Sequence, residues 1–183
     1  MTQRSTLKAA LAVAVLLAWS AVQAQTIGTA EYKDGKARIA ADYKTERATC
    51  AALSGNGKDV CQEVAKQHEK VALATLEHAR TGKAGDRNKL LVVKADTAYE
   101  VAKERCDDQA GNAKDVCVKE AQAQHTKALA DAKLGREIRE AQTEATSDKR
   151  DADYKVALEK CDALAGDAKS SCVASAKLSF GKS

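Results

Sequence analysis

The stretch Tyr99-Glu-Val-Ala-Lys-Glu-Arg-Cys106-Asp-Asp-Gln-Ala-Gly111-Asn112-Ala-Lys114-Asp115-Val-Cys117 decides the reading of this 183-residue chain. It occurs three times in varied form. Tyr43, Tyr99 and Tyr154 each stand seven residues before a cysteine: Cys50, Cys106 and Cys161. Five residues after that cysteine comes Gly55, Gly111 or Gly166, followed by Asn56, Asn112 or Asp167. A lysine (Lys58, Lys114, Lys169) and a second cysteine (Cys61, Cys117, Cys172) complete each unit. The units recur 56 and then 55 residues apart and use all six cysteines. Self-similarity at a fixed period marks a repeat architecture.

The punctuation of the unit predicts its shape. Glycine past a periodic run suits a left-handed helix C-cap. Asn or Asp next to it suits the N-cap of a following helix. Asp59 and Asp115, at the third position of that helix, complement the positive end of its dipole. Each unit therefore reads as helix, tight turn, helix. The two cysteines lie equally far from the Gly–Asn or Gly–Asp junction, one on each antiparallel helix. Six cysteines allow about 15 connectivities. This placement selects Cys50–Cys61, Cys106–Cys117 and Cys161–Cys172. A bridge needs Cα atoms about 5.5 Å apart, closer than the roughly 8–10 Å of ordinary helix pairs. The helices must therefore approach closely at each staple, which alanine permits. Closing a loop of about 12 residues contributes ~2.8 kcal/mol in the chain-entropy treatment.

Outside the units the apolar residues keep helical spacing. Leu91, Ala95, Tyr99, Ala102 and Cys106 fall three or four apart, on one face. Proline is absent, which favours long helices. Helices are expected at about 30–54, 58–80, 87–110, 113–134, 137–165 and 168–179. Thr81-Gly82-Lys83-Ala84-Gly85-Asp86 is the clearest break. Gly135 alone separates two of these helices, and a single helix from 113 to 165 is the alternative. The end of the chain after Phe180 is expected to fray. The fold expected is all-α: tandem disulfide-stapled αα-hairpins, elongated and coiled-coil-like. Its three repeats span 25–82, 83–136 and 137–183.

Residues 1–24 read as a secretory signal peptide. Arg4 and Lys8 supply the positive start, Ala9 to Trp19 an apolar run too short to span a membrane, and Val22 and Ala24 the small residues before the cut. Cleavage after Ala24 would leave 28 basic against 26 acidic residues, a balance of +2. That is too thin and too dispersed for a nucleic-acid partner. With 31% charged residues, no later segment is expected to span a membrane. Leu, Ile, Val and Phe make up 24 residues of the mature chain against 31 alanines, a meagre core that the staples would reinforce. Disulfides suit an oxidising compartment, and the expected address is the periplasm.

No catalytic constellation stands out. His68 and His78 are ten apart, about 80° off a shared helix face, so they are not a metal pair, and His125 is remote in sequence. The cysteine spacing fits neither zinc ligation nor a redox Cys-x-x-Cys. Gly55-Asn56-Gly57-Lys58-Asp59 lacks the first glycine and the terminal Ser or Thr of a phosphate loop. The lysines are expected to be solvated, the tyrosines to pack beside the staples. No cofactor, metal or small-molecule substrate is expected, and no enzymatic activity.

The strings Tyr99–Ala121 and Ala152–Lys169 resemble a group of exported proteobacterial proteins that carry the same cysteine hairpins in tandem, some of them labelled TolA-like cell-envelope proteins. The resemblance implies a Gram-negative periplasmic setting and no established activity. The mature chain is expected to lack the membrane anchor of TolA itself, so that role is not carried over. Ser170-Ser171 replaces the Asp-Val of the other units, which weakens the cap of the third. Two roles follow as expectations: a structural or interaction protein of the envelope, partnered by an envelope protein or by a second copy, or a stress- or redox-responsive protein whose thiols cycle or bind a soft metal such as copper.

Overall fold

The computed structural model describes residues 26–182. The expected signal peptide and its cleavage site lie outside them. Five helices follow one another: α1 Thr29–Cys50, α2 Gly55–Thr81, α3 Ala84–Cys106, α4 Gly111–Asp162 and α5 Gly166–Phe180. There is no strand among the described residues. Each helix packs only against its neighbours in the chain: α1 on α2, α2 on α3, α3 on α4, and α5 on α4. The connections are short, so the packed neighbours are antiparallel.

The three bridges pair Cys50 with Cys61, Cys106 with Cys117 and Cys161 with Cys172, each with Cα atoms 5.6 Å apart. That separation confirms the close approach which the pairing demands. The first cysteine of each pair is sealed, at 1%, 0% and 1% exposure, whereas the second is half-buried. The rest of the core is small: Ala65, Ala95, Val101, Ala121, Ala132 and Ala176. Alanine at these points lets the backbones close up, and Gly35 serves the same end. A Cβ there would lie 2.7 Å from Leu76 Cδ1, so α1 and α2 meet across a bare Cα.

The turns differ from the expected capping. The first helix of each unit ends at or one residue past its cysteine, closed by short-range bonds such as Leu53 N–H to Cys50 O at 3.1 Å and Gln109 N–H to Cys106 O at 3.0 Å. Ser54, Ala110 and Ala165 are the extended N-caps, at φ of −135°, −133° and −130°. The glycine then opens the second helix at φ +57°, +57° or +56°. It supplies a left-handed residue, as expected, but at the start of the second helix and not at the end of the first. Asn56, Asn112 and Asp167 consequently lie inside the helix, past the point where a side chain can cap, and none of the three helices has a side-chain cap. Asn56 instead donates from Nδ2 to Glu104 O at the end of α3, at 3.0 Å.

The break between 81 and 86 is narrower than expected. Gly82 caps α2 in the left-handed region, φ +63°, with its N–H on His78 O at 2.8 Å. Thr81 Oγ1 donates to Asp86 Oδ2 at 2.6 Å and accepts from Lys83 N–H at 3.2 Å. Helix α3 therefore starts at once, with Asp86 in its first turn.

At Gly135 the six-helix reading is overturned in favour of its alternative. Helix α4 runs unbroken through it for 52 residues, about 78 Å at 1.5 Å per residue. One glycine costs about 1 kcal/mol, and neither a proline nor a capping residue adds to it. A Lys133–Glu137 pair (3.8 Å) straddles the glycine, and an Arg136–Glu140 pair (3.9 Å) follows it. The boundary between the second and third repeats thus falls inside one helix. Helix α3 covers the first part of α4 and α5 the last. Residues 140–150 between them are exposed throughout.

Candidate functional site

Polar side chains of α2, α3 and α4 gather along α3, which packs against both of the others. Glu63, Lys66 and Lys70 of α2, Asp96, Tyr99 and Glu100 of α3, and His125 of α4 line a groove of about 370 Å³. The imidazole of His125 stacks on Tyr99, centroids 4.9 Å apart and planes 17° off parallel. His125 Nε2 lies 2.7 Å from Asp96 Oδ1. Lys103 Nζ stands over the Tyr99 ring, 5.6 Å from its centroid. Glu100 accepts a hydrogen bond from Lys103 and holds its ammonium pKa above the ordinary value. Glu63 does the same for Lys66 by direct pairing.

The third unit repeats the clasp with different chemistry. Tyr154 meets Phe180 at 5.7 Å, tilted by 52°. Phe180 follows Cys172 by eight residues, as His125 follows Cys117. Asp151 corresponds to Asp96, both three residues before the tyrosine, and it takes Lys182 Nζ at 2.7 Å. That hydrogen bond holds the Asp151 carboxyl below the ordinary range. The end of the chain is therefore tied down at Lys182, where fraying was expected, and Gly181 caps α5 at φ +63°. In the first unit the corresponding position is Glu69, and His68 beside it approaches Glu46 Oε2 with Nδ1 at 2.9 Å. Tyr43, Tyr99 and Tyr154 are half-buried, each two helical turns before the first cysteine of its unit. The residue eight past the second cysteine is the part of the repeat that sequence reasoning missed. Aligning the units beyond that cysteine would have found the position, although its residue type varies.

The repeated lysines are not simply solvated. Lys114 pairs across its turn with Asp107 at 3.0 Å, and Lys169 with Asp162 at 2.9 Å. Lys58 has Ala51 where the others have that aspartate. The histidines are spread over different surroundings: His68 and His125 each meet an acid of the preceding helix, and the Nδ1 of His78 is buried without a hydrogen-bond partner.

The Asp96–His125 pair has the form of an oriented base. Thr97 Oγ1, in the same groove, is committed to Val93 O at 2.8 Å. Among the described residues no three His, Cys, Asp or Glu side chains gather as a metal site, no cysteine is free, and no helix is long and apolar enough to cross a membrane. In the second unit an aromatic face and an acid of α3 both meet one side chain of α4. No family model, curated protein or solved structure matches the chain.

Proposed function

We propose that the chain is a non-enzymatic structural or interaction protein of the bacterial cell envelope, exported to the periplasm, in which stapled helical hairpins brace a long helix. The observation that carries this reading is the placement of two bridges on α4. Cys117 and Cys161 lie 44 positions apart on one 52-residue helix, each tied to an antiparallel neighbour at the same 5.6 Å Cα separation. A bare helix of that length bends and frays. Bracing near both ends makes it a strut. The export signal and the oxidised cysteines suit an extracytoplasmic compartment.

The test is cross-linking of the protein in envelope fractions, together with the reduction potentials of the three bridges. A scaffold gives discrete adducts, and its bridges lie below about −300 mV. Absence of any adduct would count against it. One feature favours a second reading as a thiol-based redox or soft-metal sensor: Cys61, Cys117 and Cys172 are half-buried and so within reach of an attacking thiolate. Markedly more oxidising potentials would favour that role.

A further inference from the structure

Helix α4 has two apolar faces, and only one is covered. Cys117, Ala121, Ala132 and Cys161 face α3 and α5. The large exposed apolar residues of α4 are Val116, Leu134, Ile138 and Val156, at 47%, 55%, 48% and 54% exposure. They share a single face. Val116, Leu134 and Ala152 fall 18 residues apart, as do Ile138 and Val156. Eighteen residues make about five whole turns, so the two rows run straight along the helix, roughly 40° from each other. Leu134 is two residues from buried Ala132, about 200° round the helix, so the stripe points away from α3. Ala123, Ala130, Ala141 and Ala145 fill the positions between, all exposed or half-buried. From Val116 to Val156 the stripe is about 60 Å long. A shallow depression of about 400 Å³ lies on it around Val116 and Ala123.

We propose that this stripe pairs with the same stripe of a second copy of the chain, antiparallel, about a two-fold axis between residues 137 and 138. The charges that interrupt the stripe argue for that occupant and that direction. With the axis there, Lys127 of one copy lies opposite Asp148 of the other, and Glu120 opposite Lys155. Symmetry makes each pair twice, as an isologous contact must. The same register sets Leu134 against Ala141, Ala130 against Ala145 and Ala123 against Ala152, while Val156 comes against Lys119, Ile138 against Glu137 and Val116 against Glu159. In-register parallel pairing would set Lys127 against Lys127 and Asp148 against Asp148, which is repulsive. All four charged residues are exposed, and none forms an ion pair within its own chain among the described residues. The alanines allow the backbones to approach as closely as they do at the staples. This pairing deepens the scaffold reading and rests on it.

Sedimentation equilibrium of the purified, oxidised protein tests it. A dimer is expected. Lys127→Asp should weaken it about tenfold, since two exposed pairs are lost and two repulsions introduced, and Lys127→Asp with Asp148→Lys should restore it. Leu134→Glu with Ile138→Glu should give monomer while helicity and the three bridges are kept; should that variant misfold, the charge-reversal pair, at exposed positions, still decides. Direction is read by thiol cross-linking, because all six native cysteines are bridged. A mixture of Ala123→Cys and Ala152→Cys proteins should give the mixed adduct in preference to either self-adduct. A monomer at about 100 µM, or self-adducts in preference to the mixed one, would overturn the proposal. A monomer that still cross-links to a partner in envelope fractions would overturn self-pairing and leave the scaffold standing; a dimer with no role for its bridges would do the reverse.

Discussion

His125 of α4 and Tyr99 of α3 stack with ring centroids 4.9 Å apart, at the place where Phe180 meets Tyr154 in the next unit at 5.7 Å. The common requirement is a flat ring, and the imidazole meets it. His125→Ala should cost about 1 kcal/mol, the worth of an aromatic pair beyond its buried area. His125→Phe should be tolerated to within a few tenths of that figure, since it installs the ring of the third unit. Thermal unfolding of the two variants checks both. Equal losses in both would assign the stabilisation to the Asp96 contact and not to stacking.

Removing the central staple by Cys106→Ala with Cys117→Ala should cost about 2–4 kcal/mol. Cys106 is fully buried, and this bridge closes the hairpin that carries the first part of α4. Urea unfolding of the variant, with the remaining bridges confirmed by peptide mapping without reduction, gives the measurement. A loss below about 0.5 kcal/mol would mean that packing alone holds the hairpin.

Two glycine-to-alanine changes on α4 should act in opposite directions. Gly111 sits at φ +57°, where a Cβ costs about 1–2 kcal/mol, so Gly111→Ala should destabilise by that amount. Gly135 has ordinary helical backbone, and an added Cβ would meet only Arg139 Nη1 at 3.4 Å. Gly135→Ala should therefore stabilise by up to about 1 kcal/mol. Circular dichroism during thermal unfolding separates the two signs.

Acidification should loosen the end of α5. Lys182 holds the Asp151 carboxyl below the ordinary value of 3.8, so the ionised form is the one that the folded chain prefers. The contribution is fully present above that value and is lost as pH falls through the lower folded-state value. The protection of the Ala176–Phe180 amides, relative to their intrinsic exchange rates at each pH, should fall on that descent. In Asp151→Asn the same amides should exchange faster already at neutral pH and lose this acid step.

The hairpins and the three bridges were legible because turn residues and cysteines sit at fixed distances from each other, and local geometry leaves the bridges one arrangement. The roles of Gly55 and Asn56 within the turn were not. A Gly–Asn pair can end one helix or begin another, and the choice depends on how far past Cys50 the first helix winds. The continuity of α4 at Gly135 turned on a cost of about 1 kcal/mol set against helix on both sides, which composition alone leaves balanced. The aromatic clasp escaped notice because its position holds Glu69, His125 and Phe180 in turn. The constraint there is a shape between two helices, and no single residue type records it.

Every bridge joins a cysteine to the very next one along the chain, so on the export route proposed above the thiols would emerge in the order in which they are joined. An oxidant acting on a chain emerging in that order would meet each native pair before the next, each closing about 12 residues of loop. On that route the protein is expected to mature by oxidation alone, and its yield in a cell lacking the isomerase that reshuffles wrong pairs should equal its yield in one that has it.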